Sequence, residues 1–207
     1  MLIPKITIYR LSLYLRFLER IEEEGRQYIS SCELSKKIGI SDAQIRRDLS
    51  YFGKFGKSRL GYSIKALEKN IRKILGIDNR IWKVALIGAG NLGRALFSYK
   101  GFRKRGFLIK GVFDADPRKI GKDLKGIKIE DVKDLLKISK RKKFDIAIIA
   151  VPGENAQEVA QKIVKAGIKA ILNFAPVRLK IPKRNILRNV DLSMELENLS
   201  FHLSKGK

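Results

Sequence analysis

The chain has 207 residues, of which 45 are Lys or Arg and 21 are Asp or Glu, so its formal charge is +24. This charge favours a polyanionic partner such as nucleic acid, an anionic membrane surface or an acidic protein, although a composition suited to high temperature would also be strongly charged. The single cysteine, Cys32, excludes an intramolecular disulfide and a cysteine-rich zinc site, and the absence of a signal peptide or a long apolar run predicts a cytoplasmic protein that does not bind membranes.

The chain begins with a pattern typical of an amphipathic helix. Apolar residues recur at spacings of three and four from Ile8 to Ile21, and acidic residues occupy the other surface. The spacing predicts a helix over residues 6–23 that ends before Gly25. Such a helix needs a partner that covers its apolar stripe.

Two shorter helices are predicted next, on either side of a tight turn. Ser30 and Glu33 form a capping-box pattern at the start of the first, and Gly39 ends it. Ser41 and Gln44 form a second capping-box pattern at the start of the other. Two short helices around a glycine turn indicate a helix-turn-helix.

The second helix of this pair carries side chains suited to reading DNA. Arginine can donate a bidentate pair to guanine, glutamine can pair with adenine, and cations neutralise phosphates. Any small three-helix domain would show the same helices, so this pattern alone leaves a purely structural role open. The candidate DNA contacts on this helix are Gln44, Arg46, Arg47 and Tyr51.

A basic segment punctuated by glycines follows the third helix. Residues 53–64 alternate partly between apolar and polar residues, which predicts a β-hairpin. After a helix-turn-helix, a hairpin forms a wing, and Lys57, Ser58 and Arg59 near its tip are candidate contacts to phosphates or to a minor groove. An ordinary solvated hairpin is the alternative. A further helix is predicted over residues 65–75, and residues 76–80 look like a linker.

From Ile81 onwards, short apolar runs alternate with helical segments. This alternation predicts a parallel sheet with helices on both faces. The predicted strands are Trp82–Ile87, Phe107–Phe113, Gly126–Ile129, Phe144–Val151 and Lys169–Phe174. The predicted helices cover residues 91–100, 117–122, 131–140 and 154–166.

A glycine-rich turn follows the first of these strands. The sequence Gly88-Ala89-Gly90-Asn91-Leu92-Gly93 matches the G-x-G-x-x-G pattern that binds the pyrophosphate of a dinucleotide between a strand and a helix. Gly88 is expected to make the turn, Gly90 to let the backbone approach the pyrophosphate, and Gly93 to pack the helix on the strand. The N-terminus of the following helix offers free N–H groups to the anion.

The ends of the later strands supply further candidates for binding a dinucleotide. Asp114 follows the second strand, where a carboxylate accepts hydrogen bonds from the adenosine ribose and repels a 2′-phosphate, which favours NAD(H) over NADP(H). Tyr99, Pro152, Asn173 and Phe174 are candidates for contacting the nicotinamide end. For Tyr99, a surface aromatic at a helix end is an equally good interpretation.

The last segment, residues 189–203, predicts a helix with a narrow leucine stripe. Leu192, Leu196, Leu199 and Leu203 are spaced by four, three and four residues. Such a helix can fold back on its own sheet or pack on a second copy of the chain. Because a basic segment with two prolines precedes it, we favour a homodimer formed through this helix.

Several motifs in order along the chain resemble the bacterial family of redox-sensing transcriptional repressors called Rex. The motifs that carry the resemblance are IRRDLSYFG at 45–53, GAGNLG at 88–93, FDADP at 113–117, GIKAILNFAP at 167–176 and NVDL at 189–192. One departure lies at the wing tip, where the family usually has Arg-Gly-Val-Gly-Tyr and this chain has Ser58-Arg59-Leu60-Gly61-Tyr62. A shifted operator preference is therefore possible.

The resemblance implies an α/β protein with three parts. These are a winged helix-turn-helix DNA-binding domain over residues 1–76, a Rossmann NAD(H)-binding domain with a doubly wound parallel sheet over 77–188, and an exchanged C-terminal helix over 189–207. It also implies a homodimer that binds inverted-repeat operator DNA when NADH is scarce and leaves it when NADH binds. We expect Asp191 to pair with Arg16 in only one of the two states.

The sequence offers little support for catalysis. Few residues follow the last predicted strand, so a substrate domain is lacking, and no Tyr-x-x-x-Lys pair is present. We therefore expect neither catalytic nor metal-binding residues. The alternatives are an NAD-dependent oxidoreductase with an accessory basic domain and a CoA- or nucleotide-binding subunit of a larger assembly.

Overall fold

The structure, a computed structural model, describes residues 3–53, 55–57 and 60–206, without the side chain of Lys57. The chain divides into two compact units, one up to Arg80 and one from Ile81 onwards. In the described residues no helix is both long and apolar enough to cross a membrane.

The first unit is a helical domain with a small antiparallel sheet. Its three strands pair in the order β1-β3-β2, so the predicted hairpin of β2 and β3 gains a strand that the sequence did not predict. The elements are α1 (Lys5–Glu23), β1 (Tyr28–Ile29), α2 (Ser31–Ile38), α3 (Asp42–Ser50), β2 (Gly56–Lys57), β3 (Gly61–Ser63) and α4 (Ile64–Ile74).

Both short helices of this unit begin after the predicted N-cap serines, and α2 ends at the predicted glycine. Ser30 and Glu33 form both bonds of a capping box at α2, and Gly39 ends that helix with φ of +70°. At α3, the Ser41 hydroxyl accepts the N–H of Gln44, but the Gln44 side chain turns away from the cap. The helix-turn-helix is therefore held by local capping.

The second unit is built on a seven-stranded sheet with the order β10-β9-β8-β4-β5-β7-β6. Its strands pair in parallel except for β6, which runs antiparallel to β7 at one edge. The strands are β4 (Trp82–Ile87), β5 (Phe107–Asp114), β6 (Asp123–Leu124), β7 (Ile127–Asp131), β8 (Ile146–Ile149), β9 (Ala170–Asn173) and β10 (Ile186–Asn189). The helices are α5 (Asn91–Ser98), α6 (Lys100–Lys104), α7 (Leu135–Lys142), α8 (Gly153–Lys165) and α9 (Leu192–Lys205).

The order of these strands confirms the predicted doubly wound fold. The chain runs outward from β4 through β5 to β7 and then returns to the other side of β4 as β8. The helices α5 and α6 pack on one face of the sheet, and α7 and α8 pack on the other. In such a sheet, ligands bind at the carboxyl ends of the strands where the order reverses, which here is between β4 and β8.

Three predictions about local structure were wrong. The predicted helix over 117–122 is a turn, because Pro117 and Gly121 leave too few residues for a helix before the β6–β7 hairpin. The helix predicted over 91–100 ends at Ser98, and Tyr99 has extended backbone before α6. No strand is predicted in the basic segment before the terminal helix, yet this segment contains β10, which extends the sheet beyond β9.

Two apolar surfaces of the second unit are left uncovered. The helix α9 buries none of its residues, and its leucines are 59–76% exposed. On the face of the sheet that carries α5 and α6, side chains including Ile146, Leu172 and Ile186 line an open groove of about 310 Å³. Phe102 of α6 lines one side of this groove, which stays open to solvent among the described residues.

Candidate nucleotide site and nucleic-acid interface

The glycine loop lies at the carboxyl end of β4, and its glycines have different surroundings. Gly88 has φ of +104°, and a Cβ there would overlap the carbonyl oxygen of Ala150. A Cβ at Gly93 would overlap the carbonyl oxygen of Gly88. A Cβ at Gly90, by contrast, would meet no atom within 4 Å. Gly88 and Gly93 therefore let the loop fold tightly, whereas Gly90 leaves space beside the backbone that a ligand can enter.

The start of α5 presents backbone N–H groups to this space. Its N-cap is Gly90, which makes no side-chain cap, and the first hydrogen bond of the helix runs from Arg94 N–H to Gly90 C=O. The N–H groups of Gly90, Asn91, Leu92 and Gly93 therefore have no acceptor within the helix. Together with the helix dipole, they form a site suited to a pyrophosphate.

Asp114 braces the glycine loop from the neighbouring strand. One carboxylate oxygen accepts the N–H of Ala89 at 2.7 Å and the ammonium of Lys119 at 3.2 Å, and the other accepts the N–H of Asp116 at 2.9 Å. Burial would raise the pKa of Asp114, but these hydrogen bonds hold it below its ordinary value. The second oxygen accepts one bond from the described residues, so it retains a lone pair for a ribose hydroxyl.

The neighbourhood of Asp114 also contains two cations. Lys119 contacts Asp114 directly, and Arg118 forms a bidentate pair with Asp116 at two distances of 3.0 Å. The side chain of Arg118 is 88% exposed. These cations offset part of the repulsion that Asp114 alone would exert on a 2′-phosphate, so the discrimination against NADP(H) is smaller than one carboxylate would give.

Pro152 and Asn173 lie at the carboxyl ends of β8 and β9, on the same edge as the glycine loop. Pro152 is the N-cap of α8 and lies two residues beyond Ala150, which contacts Gly88. The Asn173 side chain is fully buried, and its amide bonds the backbone of Ala175 and Val177 and the side chain of Asn189. Asn173 therefore holds the loop after β9, whereas Pro152 borders the loop that would contact a ligand.

Tyr99 lies away from this edge. It follows the last residue of α5, about 12 Å along the helix axis from Asn91. Because α5 connects two parallel strands, it runs back towards their amino ends. The Tyr99 side chain is 58% exposed and packs edge-on to Phe102 at 5.1 Å between ring centroids. The structure thus does not bring Tyr99 to the glycine loop of the same copy.

In the first unit, the candidate DNA contacts on α3 differ in the exposure of their side chains and in the hydrogen bonds that these side chains make. The side chain of Arg47 is exposed and makes no hydrogen bond or ion pair with any residue that the structure describes, although the Arg47 carbonyl accepts the hydroxyl of Ser50. Arg46 is exposed but bonds Asp42 at 2.6 Å and Ser31 at 3.1 Å. Tyr51 follows α3 and is half-buried. Arg47 is therefore the side chain of α3 best placed to contact a ligand without breaking an internal bond.

The amide of Gln44 points inward, although the sequence predicted a DNA contact. It donates to the carboxylate of Asp48 at 2.8 Å. Asp48 is fully buried and also accepts bonds from side chains of α1, which are Thr7, Arg10 and Tyr14. Sequence reasoning missed this cluster, and its only signal was an aspartate on the apolar stripe of α3, between Ile45 and Leu49.

The wing candidates fall mostly outside the part of the chain that can be described. The backbone of Lys57 lies in β2 and pairs with Gly61, while Ser58 and Arg59 lie outside the described residues. The two coupling candidates are in different compact units. Arg16 is exposed on α1, and Asp191 caps α9 by accepting the N–H of Ser193 at 3.0 Å. Their pairing stays a prediction.

Comparison with known proteins gives matches over both units. The family model described as "CoA binding domain" matches residues 79–177, and the one described as "Putative DNA-binding protein N-terminus" matches residues 2–50. Proteins named "Redox-sensing transcriptional repressor Rex" are 49% identical in Desulfitobacterium hafniense and 50% identical in Pelotomaculum thermopropionicum. Each match covers 97% of this chain, and 95% and 94% of those relatives.

A solved structure gives the same result. RSP in complex with β-NAD+ and operator DNA has a TM-score of 0.95 and 42% sequence identity, and the match covers 100% of this chain and 94% of that one. RSP in complex with β-NADH matches with a TM-score of 0.90 and 41% identity, covering 100% of this chain and 96% of RSP. RSP is described as a Rex-family repressor. On the relatives that match along nearly its full length, this chain belongs to the Rex family of redox-sensing transcriptional repressors.

Proposed function

We propose that this chain is an NADH-sensing, DNA-binding transcriptional repressor. It binds inverted-repeat operators when NADH is scarce and releases them when NADH binds. The observation that carries this proposal is the likeness over the whole chain to RSP, which has been solved both with β-NAD+ and operator DNA and with β-NADH. A repressor acts beside the chromosome, so we propose a cytoplasmic location.

The second unit supplies the NAD(H) site. The space beside Gly90 and the free N–H groups at the start of α5 fit a pyrophosphate. Asp114 both braces this loop and offers a lone pair to the adenosine ribose. Pro152 borders the place where the nicotinamide would lie. NADH and NAD+ differ in the charge and planarity of that ring, so the discrimination arises at the ring end of the site.

The first unit supplies the DNA interface. Arg47 is the candidate for a bidentate contact to a guanine, since its guanidinium is exposed and unbonded in the described part of the chain. Arg46 and Tyr51 border it and are candidates for phosphate contacts. The wing residues Lys57, Ser58 and Arg59 stay candidates from sequence alone.

A homodimer is proposed because one copy leaves two apolar surfaces uncovered. The leucine stripe of α9 and the groove on the β8–β10 half of the sheet would both be exposed to water in a monomer. Exposed apolar patches of this kind usually mark an interaction site. Exchange of α9 between two copies would cover its stripe, and a second copy is also the only source of a Tyr99 near the nicotinamide.

We infer a population shift as the mechanism. Two dimer geometries place the recognition helices, which are the α3 helices of the two copies, at different spacings, and only one spacing fits two half-sites one helical turn apart. Reduced nicotinamide stabilises the other geometry. Pairing between Arg16 and Asp191 in one geometry would link the two units.

We also propose that the chain is not an enzyme. Relatives that match along nearly the full chain are named as transcriptional repressors, which supports this proposal. A nicotinamide cofactor supplies hydride chemistry only where a protein holds a substrate and a proton-transfer group beside the ring. The nucleotide therefore acts as a reporter of redox state.

The proposal is tested by selecting an inverted-repeat duplex from a randomised library with the wild-type protein and then titrating NAD+ and NADH into the complex. We expect NADH to release the duplex at concentrations at which NAD+ does not. DNA binding that is indifferent to both nucleotides would refute the sensor function. Oxidation of NADH by a substrate panel, without any effect on DNA, would instead favour an oxidoreductase.

A further inference from the structure

A buried carboxylate links the first helix to the recognition helix. Asp48 of α3 is fully buried, and five hydrogen bonds from four side chains converge on it. Arg10 of α1 donates two of them, from Nε at 2.5 Å and from Nη2 at 2.7 Å. Tyr14 donates from its hydroxyl at 2.6 Å and Thr7 from its hydroxyl at 3.1 Å. Gln44, one turn before Asp48 on α3, donates the fifth at 2.8 Å.

Both carboxylate oxygens of Asp48 accept hydrogen bonds, so the buried charge is fully compensated. One oxygen of Asp48 accepts from Thr7, Arg10 and Gln44, and the other from Arg10 and Tyr14, so few lone pairs remain. Burial would raise the pKa of Asp48, but the bonds from Arg10, Tyr14 and Gln44 hold it below its ordinary value. The aspartate therefore stays ionised beside the guanidinium.

Such a pair is poor evidence for a gain in stability. The free energy lost when two charges are removed from water is about as large as the free energy gained from their attraction. Proteins in which apolar residues of similar volume replace such a pair are often as stable. The apolar residues of α3 that face the core, Ile45 and Leu49, already supply the non-directional part of the packing. What the cluster adds is a fixed orientation of α3 about its axis. The planar guanidinium of Arg10 donates two parallel hydrogen bonds, which a carboxylate can accept in one orientation only.

The rotation of α3 about its axis determines where the side chains on its outer surface point. Asp48 follows Arg47 immediately, so fixing Asp48 inward fixes Arg47 outward, about 100° around the helix. A rotation of α3 by some 20° would move the tip of a long side chain by about 2 Å, which exceeds the tolerance of a bidentate contact. Gln44 is held inward by the same cluster.

We propose that Asp48, held by hydrogen bonds from Arg10 and Tyr14, is a positioning residue that fixes the rotation of α3, the recognition helix, about its axis. This rotation sets the specificity of base recognition. In this proposal none of the three side chains contacts DNA. The proposal rests on the DNA-binding function proposed above. It also makes α1 and α3 one rigid body, so any displacement of α1 is passed to the recognition helix.

Two variants of the full-length chain test this role. Arg10→Lys keeps the charge but removes the fork, and it alters a side chain that is 17% exposed. The triple variant Arg10→Met, Tyr14→Phe, Asp48→Leu replaces three of the five residues of the cluster by apolar groups of similar size and is expected to fold. Arg20→Lys is the matched control, since Arg20 lies on the same helix and its long ion pair with Glu24 is exposed.

Affinity is measured for the selected inverted-repeat duplex and for a random duplex of equal length, with melting temperature and NADH affinity as independent readouts. We expect both cluster variants to lower the operator-to-random affinity ratio at least tenfold, with NADH affinity unchanged within about twofold, while Arg20→Lys keeps the wild-type ratio. A purely structural role would lower the melting temperature and both affinities together and leave the ratio in place.

The outcomes separate the two proposals. If wild-type protein binds the selected duplex but either folded variant keeps the wild-type ratio, the positioning role is refuted. If wild-type protein itself shows no preference for any selected duplex, the proposed function fails first. Should the triple variant not fold, Arg10→Lys decides alone, because a ratio equal to that of Arg20→Lys overturns the inference.

Discussion

Replacing Gly90 and Gly93 by alanine separates ligand binding from loop packing within one motif. A Cβ at Gly93 would overlap the carbonyl oxygen of Gly88 and lie 2.9 Å from its carbonyl carbon. Alanine is favoured over glycine inside a helix by about 1 kcal/mol, whereas forcing a methyl group into a packed site costs about 1–3 kcal/mol. Because the obstructing atoms belong to the backbone and cannot rotate away, the clash should dominate. With the clash at the upper end of that range, about 2–3 kcal/mol, we expect a net loss of about 1–2 kcal/mol in the free energy of unfolding, or roughly 2–8 °C in melting temperature.

Gly90→Ala should behave in the opposite way. The backbone at Gly90 has φ of −78° and ψ of −168°, which any residue adopts, and a Cβ there would meet nothing within 4 Å. Stability should therefore change by less than about 1 kcal/mol. The methyl group would nevertheless fill the space that the pyrophosphate enters, so NADH affinity should fall at least about tenfold, equivalent to about 1.4 kcal/mol.

Thermal unfolding and titration of NADH fluorescence measure the two effects on the same samples. The expected result is a crossed pattern, in which Gly93→Ala lowers the melting temperature and Gly90→Ala lowers affinity at an unchanged melting temperature. An unchanged NADH affinity in Gly90→Ala would show that the pyrophosphate does not approach this loop. A melting temperature of Gly93→Ala at or above the wild-type value would refute the packing argument.

Other substitutions probe the remaining parts of both units. Asn173→Ala removes a fully buried amide with four hydrogen bonds. Urea denaturation should show that the free energy of unfolding falls by about 2–4 kcal/mol. A fall below about 1 kcal/mol would contradict the role of Asn173 in holding the loop after β9. Arg47→Ala should weaken binding to the selected duplex by more than about 1 kcal/mol, and equal losses on random DNA would identify a phosphate contact instead. Asp191→Ala removes the N-cap of α9 at a cost of about 1 kcal/mol by thermal unfolding; if it leaves NADH-driven release of DNA unchanged, the coupling to Arg16 is wrong.

Much of the architecture could be predicted because it depends on neighbours in sequence. The capping box of Ser30 and Glu33 and the turn at Gly39 follow from side chains within one helical turn of each other. The first predicted strand of the sheet, Trp82–Ile87, has the observed bounds because its buried apolar run, Val84–Ile87, ends at a glycine turn. The glycine motif likewise predicts its own geometry.

Apart from the turn at 117–122, the differences concern features that depend on distant parts of the chain. The strand β10 is an edge strand with exposed and half-buried residues, so its sequence lacks the apolar run that identified the other parallel strands. The position of Tyr99 follows from the direction in which α5 crosses the sheet. The sequence placed Tyr99 with the nucleotide, yet in one copy it lies at the other end of that helix.

The same division holds for the site. The sequence by itself determined that a dinucleotide loop, a helix-turn-helix and an unpartnered leucine helix lie in one chain, since each is encoded in a local pattern of spacing and residue type. Only the tertiary structure decided what individual polar side chains do. Asp48 reaches Arg10 across 38 residues, Asp114 reaches the N–H of Ala89 across 25, and Asn173 reaches Asn189 across 16. A polar side chain bonds whichever partner the fold brings within about 3 Å, and no local pattern records that partner.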